Sequence, residues 1–74
     1  MSEQKKIIET VIKQLEKLKK LSEIPAIINW VSSKNFENKR YVLYLLEGIQ
    51  KGVIPPSEVI VLLHRLICSI QIAG

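Results

Sequence analysis

The sequence predicts an all-α fold, a compact bundle of four helices in which the second helix is short. Two patterns support this prediction: apolar residues recur at steps of three and four along most of the chain, and Gly52 and the Pro55-Pro56 pair separate two such segments. Hydrophobic residues make up 47% of the 74 residues and charged residues 24%, as in a globular domain. A chain of this length forms one domain at most, 1–74. Because so short a chain buries only about 60% of its unfolded surface, its stability is marginal, and a second copy or a partner protein can complete the bundle.

The first helix is expected at about residues 3–21. Ser2 is its predicted N-cap, and Glu3 lies in the first turn, where the helix dipole favours a carboxylate. The apolar side chains form one stripe on an otherwise polar helix, which is typical of a helix packed against a core. The stripe consists of Ile8, Val11, Leu15 and Leu18.

The second and third helices are expected at about residues 23–31 and 36–51. A helix tolerates proline in its first turn, so Pro25 fits the start of the short second helix. Asn35 or a neighbouring serine is the expected cap of the third helix. Gly52 stands where a C-terminal glycine cap belongs, so we expect the third helix to end just before it.

The fourth helix is expected at about residues 58–72, after an extended connection that ends in two prolines. Ser57 is its predicted N-cap. This helix carries a wide apolar face and a second apolar ridge, and a helix with two such faces is central in a bundle or shared with another chain. The second ridge is therefore a candidate protein interface, and it consists of Val61, Cys68 and Ile72.

The chain is basic, with eleven Lys and Arg against seven Glu, no Asp and a net charge of +4. Residues 1–23 and 24–52 each carry +2, whereas residues 53–74 are neutral, so the basic character belongs to the first three helices. This balance permits contact with nucleic acid or with an acidic protein. Richness in Ile, Lys and Glu is also typical of hyperthermophile proteins, so an archaeal thermophile is one hypothesis for the source.

The sequence indicates neither secretion nor catalysis. The lone Cys68 cannot form an intrachain disulfide, and no uninterrupted apolar run follows the N-terminal lysines, so we expect a cytoplasmic protein. The last helix is too short to cross a membrane and holds His64 and Arg65 near its middle. Cys68 is the only possible second metal ligand at helical spacing from His64. The sequence contains no Asp that could orient the two side chains for catalysis, so Cys68 is expected to be a small core residue. We therefore expect no enzyme, no metal, no cofactor and no small-molecule substrate.

Four lysines on one stripe of the first helix are candidates for contact with nucleic acid or an acidic partner, because a row of ammonium groups can follow a phosphate backbone. They are Lys6, Lys13, Lys17 and Lys20. Glu9 precedes Lys13, and Glu16 precedes Lys20, at the i,i+4 spacing that stabilises a solvated helix. These pairs favour the alternative in which the stripe is simply a solvent-facing surface.

A polar cluster opens the third helix, where a helix-turn-helix protein presents its base-reading side chains. Its candidate nucleic-acid contacts are Asn38, Lys39 and Arg40. The match is imperfect, because no glycine occupies the turn and Phe36 stands where a small residue is needed. Solvated polar residues at a helix start explain the cluster better.

Three further residues are candidates for a protein interface. Tyr44 is predicted to lie among charged residues on the exposed face of the third helix, where it could stack on a base, anchor a protein contact or have neither role. Gly48, in the same helix, costs about 1 kcal/mol relative to Ala, which predicts a packing reason such as close approach of another backbone. Trp30 fits the role of a buried core residue and that of an interface residue equally well.

We therefore expect a non-catalytic adaptor or accessory subunit that docks on a larger protein or on a second copy of itself. The basic charge favours a complex that handles nucleic acid, in replication or transcription, with non-specific contact between the lysines and the nucleic acid. The alternative is an autonomous DNA-binding regulator that acts as a homodimer and uses the third helix.

Overall fold

The computed structural model describes the backbone of residues 3–73 and the side chains of residues 3–70, and within these residues the fold is all-α, as predicted. A single turn of 3-10 helix, Leu21–Glu23, precedes the second helix. The four α-helices are α1 (Glu3–Glu16), α2 (Ile24–Ser32), α3 (Lys39–Gln50) and α4 (Pro56–Ala73). The main packing is of α1 on α4 and of α2 on α3.

The core is an apolar cluster to which all four helices contribute. Its fully buried side chains include Ile8 and Val11 from α1, Ile24 and Val31 from α2, Val42 and Leu46 from α3, and Val59 and Leu63 from α4. Among the described side chains, no polar or charged residue is buried. Burial of each aliphatic side chain stabilises the fold by about 1.5–3 kcal/mol. The hydrophobic effect therefore holds the bundle together, and its own four helices cover the core.

Helix α1 ends at Glu16, more than a turn before the predicted end at residue 21. The backbone N–H of Leu18 donates to Leu15 O at 3.1 Å, a tighter turn than the α-helix makes, and Lys20 is extended with φ −139° and ψ 139°. The chain has to turn here to bring α2 back to the core. The partly buried Leu18 packs against that core from outside the helix.

Helix α3 begins at Lys39, later than predicted, and its N-cap is Asn38 rather than Asn35. The Asn38 side chain does not cap its own helix. Instead, the Gln4 Oε1 atom of α1 accepts hydrogen bonds from Asn38 Nδ2 at 2.8 Å and from the Asn38 backbone N–H at 3.2 Å. A side chain from the first turn of α1 therefore fixes the start of α3.

The C-terminal end of α3 matches the prediction. Gly52 has φ +75°, a conformation that suits glycine because it lacks Cβ. Its N–H donates to Ile49 O at 3.0 Å, and the next N–H, of Val53, donates to Gly48 O at 2.9 Å. These are the two hydrogen bonds of a Schellman motif. The packing reason expected at Gly48 is present, but the neighbour is the Ile54 side chain, whose Cδ1 would lie 2.8 Å from an added Cβ.

Helix α4 begins at Pro56, before the predicted cap Ser57. The Pro55 carbonyl accepts hydrogen bonds from the N–H groups of Glu58 at 3.1 Å and Val59 at 3.3 Å, so Pro55 takes the N-cap position. Pro56 fits the first helical position because its missing N–H would have no partner there. Helix α2 begins and ends one residue later than predicted. The predicted cap Ser2 lies outside the described residues.

The Gln4–Asn38 contact predicts a specific order of stabilities. Gln4→Ala removes both hydrogen bonds to Asn38, whereas Asn38→Ala removes only the one from Nδ2, so Gln4→Ala should lower the free energy of unfolding more. We expect about 1 kcal/mol per bond lost, measured by urea denaturation. Gln4→Glu is the matched control, because its carboxylate still accepts both bonds near the start of α3. Additive effects in the double Ala variant would contradict the contact.

Candidate docking surfaces

The structure divides the predicted lysine stripe. Lys6 and Lys13 are exposed on α1, but Lys17 lies in the turn after the helix and Lys20 in the extended segment beyond it. Lys6 lines a concavity shared with α2, whereas Lys13 lines a groove of about 350 Å³ against α4, together with Glu9 and Glu16 among other residues. Because α1 ends at Glu16, the predicted i,i+4 pair of Glu16 with Lys20 is not on a helix, which corrects that expectation.

The start of α3 is partly buried, and one of its residues is hydrogen-bonded to α1. Asn38 is half-buried and bonded to Gln4, and Lys39 is also half-buried, so only Arg40 of the three predicted contacts is exposed. The connection between α2 and α3 covers residues 33–38. That is longer than the usual turn of about three to four residues in a helix-turn-helix.

A shallow groove of about 200 Å³ lies at the C-terminal end of α3; we call it the Tyr44 surface. Its lining residues are Tyr44, Glu47, Gly48, Lys51, Val53 and Ile54. Two of them, Tyr44 and Val53, are 67% and 74% exposed. Gly48 lets Ile54 fold onto the helix, where its side chain would contact any added Cβ.

The exposure of Val53 has a local cause. In a Schellman motif, the residue at the Val53 position frequently packs on an apolar side chain three or four positions before the C-cap, which is Lys51 here. Here those positions hold Gly48 and Glu47, so Val53 finds no apolar partner within the motif. Val53 was not among the interface residues predicted from the sequence, although Gly52 together with Gly48 is a pattern that indicates its exposure.

A larger groove of about 410 Å³ runs between α1 and α2; we call it the Trp30 groove. Its lining residues are Thr10, Gln14, Glu23, Ala26, Ile27 and Trp30. Trp30 is 36% exposed, so it is not a buried core residue. Lys34 Nζ lies 4.9 Å from the centroid of the Trp30 ring. A smaller adjoining concavity of about 110 Å³ shares Thr10 and Trp30, and adds Lys6 and Lys34 among others. Trp30 thus forms a wall between two concavities.

The predicted ridge on α4 is exposed where the structure describes it. Val61 is 51% exposed and Cys68 is also exposed, which corrects the expectation that Cys68 is a core residue. The side chain of Ile72 lies outside the described residues. Arg65, between the two, is exposed and interrupts the apolar surface. His64 is exposed too and lines the groove that contains Lys13.

Within the described residues, no group of three or more His, Cys, Asp or Glu side chains could hold a metal ion, and no helix is both long enough and apolar enough to cross a bilayer. Comparison of the chain with protein-family models, with curated proteins and with solved structures finds no match.

Proposed function

We propose that the protein is a non-catalytic adaptor that docks on a larger protein through the Tyr44 surface. The observation that carries this proposal is the pair of strongly exposed side chains, Tyr44 and Val53, around a groove at a fixed helix end. Exposed apolar side chains in one concave surface favour a protein contact. The absence of a catalytic motif in the sequence supports a role in binding rather than in catalysis.

The Tyr44 surface has the features of a compact protein interface. Tyrosine is enriched among the residues that dominate binding energy, because its ring offers a large contact area with few rotatable bonds. The Schellman hydrogen bonds already fix the backbone around Val53, so binding of a partner costs little backbone conformational entropy there. Glu47 and Lys51 line the same groove and provide a polar rim.

The charge of the chain favours a different protein over a second copy. Each copy carries a net charge of +4, so two copies repel one another at low salt. The same charge favours a partner that is acidic or bound to nucleic acid. We therefore propose that the larger protein belongs to a complex that handles nucleic acid, with Lys13 and Lys17, which are both exposed and one helical turn apart, near the nucleic acid.

The DNA-binding regulator has less support. A base-reading side chain has to be available at the start of its helix, but Asn38 is half-buried, and its amide group and backbone N–H already donate to Gln4 Oε1. The connection over residues 33–38 also departs from the usual turn. Arg40 remains available for a phosphate contact, which carries no sequence information.

A photo-crosslinking experiment tests the docking surface. A photoreactive phenylalanine analogue in place of Tyr44 should crosslink to one larger protein in cells of the source organism, and that protein is then purified. Tyr44→Ala should weaken its binding at least tenfold, because truncation of a central aromatic typically costs about 2 kcal/mol. Val61→Ser, a change at an exposed valine on α4, is the matched control and should leave the affinity unchanged.

Two results would contradict the docking surface. One is crosslinking only between copies of this chain, which would indicate a homodimer. The other is an affinity that falls for Val61→Ser and stays constant for Tyr44→Ala, which would place the interface on α4 instead.

Duplex DNA of about 20 base pairs, titrated at several salt concentrations, tests the contact with nucleic acid. We expect equal affinity for two unrelated sequences, with a log–log salt slope near −1.8, from about −0.9 for each phosphate contact of Lys13 and Lys17. Lys13→Gln with Lys17→Gln should abolish binding, whereas Lys19→Gln with Arg65→Gln, an equal change of charge elsewhere, should not. A preference for one sequence that Arg40→Gln removes would support the regulator instead.

A further inference from the structure

The Trp30 groove is a second concave surface that docking at the Tyr44 surface does not use. The two surfaces share no lining residue. We propose that the Trp30 groove binds a short acidic segment of a partner protein, with an apolar side chain against Trp30 and a carboxylate at Lys6 and Lys34. This inference goes beyond the adaptor role and does not depend on the Tyr44 surface.

The apolar part of the site comes from α2. Ala26, Ile27 and Trp30 line the groove, and Trp30 as a whole is 36% exposed. The volume of about 410 Å³ lies in the range of about 300–1,000 Å³ that is typical of ligand pockets, so it can receive one or two aliphatic side chains. An apolar side chain placed against the Trp30 ring removes apolar surface of both partners from water, which favours binding.

The anionic part of the site comes from two lysines on different elements. Lys6 is exposed on α1, and Lys34 is half-buried just after α2; both line the smaller concavity beside Trp30. Within the described residues, neither ammonium group is paired with a carboxylate, and Lys34 interacts with the Trp30 ring instead. Both lysines line this concavity, so together they attract a carboxylate there, although Glu3 on the same concavity offsets part of their charge.

The positions of the glutamates favour a peptide over nucleic acid. Glu23 lines the main groove, and Glu3 lines the smaller concavity beside the two lysines. A nucleic-acid strand needs cations along its whole path, whereas here the cations lie on one side of Trp30 only and Glu23 would repel the following phosphates. One carboxylate next to an apolar side chain matches this distribution of charge.

Intrinsic fluorescence can test this inference directly, because Trp30 is the only tryptophan of the chain. The probe is a capped peptide of about ten residues that is neutral except for one aspartate, with a leucine on either side of it. We expect it to shift the Trp30 emission saturably. A peptide with asparagine in place of aspartate should bind at least tenfold more weakly, because it lacks the charge that the two lysines attract.

Matched variants separate the proposed site from a general effect of charge. Lys6→Gln with Lys34→Gln should weaken binding of the acidic peptide about tenfold, whereas Lys19→Gln with Arg65→Gln, the same change of charge elsewhere, should not. Lys6→Gln alone leaves the Lys34–Trp30 contact in place and should give an intermediate loss. Tyr44→Ala should leave peptide binding unchanged, so failure of this site and failure of the Tyr44 surface can be told apart.

Three results would overturn the inference. The first is equal binding of the asparagine peptide, which would mean that no carboxylate is recognised. The second is equal weakening by the two double variants, which would indicate attraction by net charge alone. The third is a larger emission shift with oligothymidine than with the acidic peptide, which would indicate a nucleic-acid site at Trp30.

Discussion

Four short amphipathic helices pack around one apolar cluster, and the burial of that cluster holds the described fold together. Helices as short as α2 and α3, Ile24–Ser32 and Lys39–Gln50, are marginal alone in water, so they persist because their apolar faces meet in the core. No described polar side chain is buried there. Because burial of the apolar faces maintains the fold, the exposed side chains can differ from one side of the bundle to another without loss of the core.

The pairing of the helices explains where the grooves lie. Helix α1 packs mainly on α4 and α2 mainly on α3, while α1 and α2 contact each other much less. The seam between α1 and α2 therefore stays open, and Trp30 stands in it as a partly exposed wall. The Tyr44 surface has a different origin, since it forms where Gly48 and the Schellman motif bring residues 53 and 54 back onto α3.

Local sequence signals predicted local structure well. The apolar spacing gave four helices, Gly52 marked the end of α3, and Gly48 indicated close packing. Features that depend on contacts distant in sequence were missed, because no local pattern encodes them. The end of α1 at Glu16 depends on the return of α2, and the start of α3 depends on Gln4. The groove at Trp30 exists only because α1 lies beside α2, although Trp30 itself was a candidate from the sequence.

The described core is covered by the four helices of one chain, and the net charge of +4 opposes self-association at low salt. We therefore propose that the isolated protein is a monomer, which leaves the Tyr44 surface available to a different protein. Sedimentation equilibrium from about 10 μM to about 1 mM tests this proposal. We expect one species at the monomer mass of 8.5 kDa throughout, and urea unfolding that is cooperative and independent of protein concentration. A dimer at the lowest concentration, with a stability that rises with concentration, would show instead that the bundle needs a second copy.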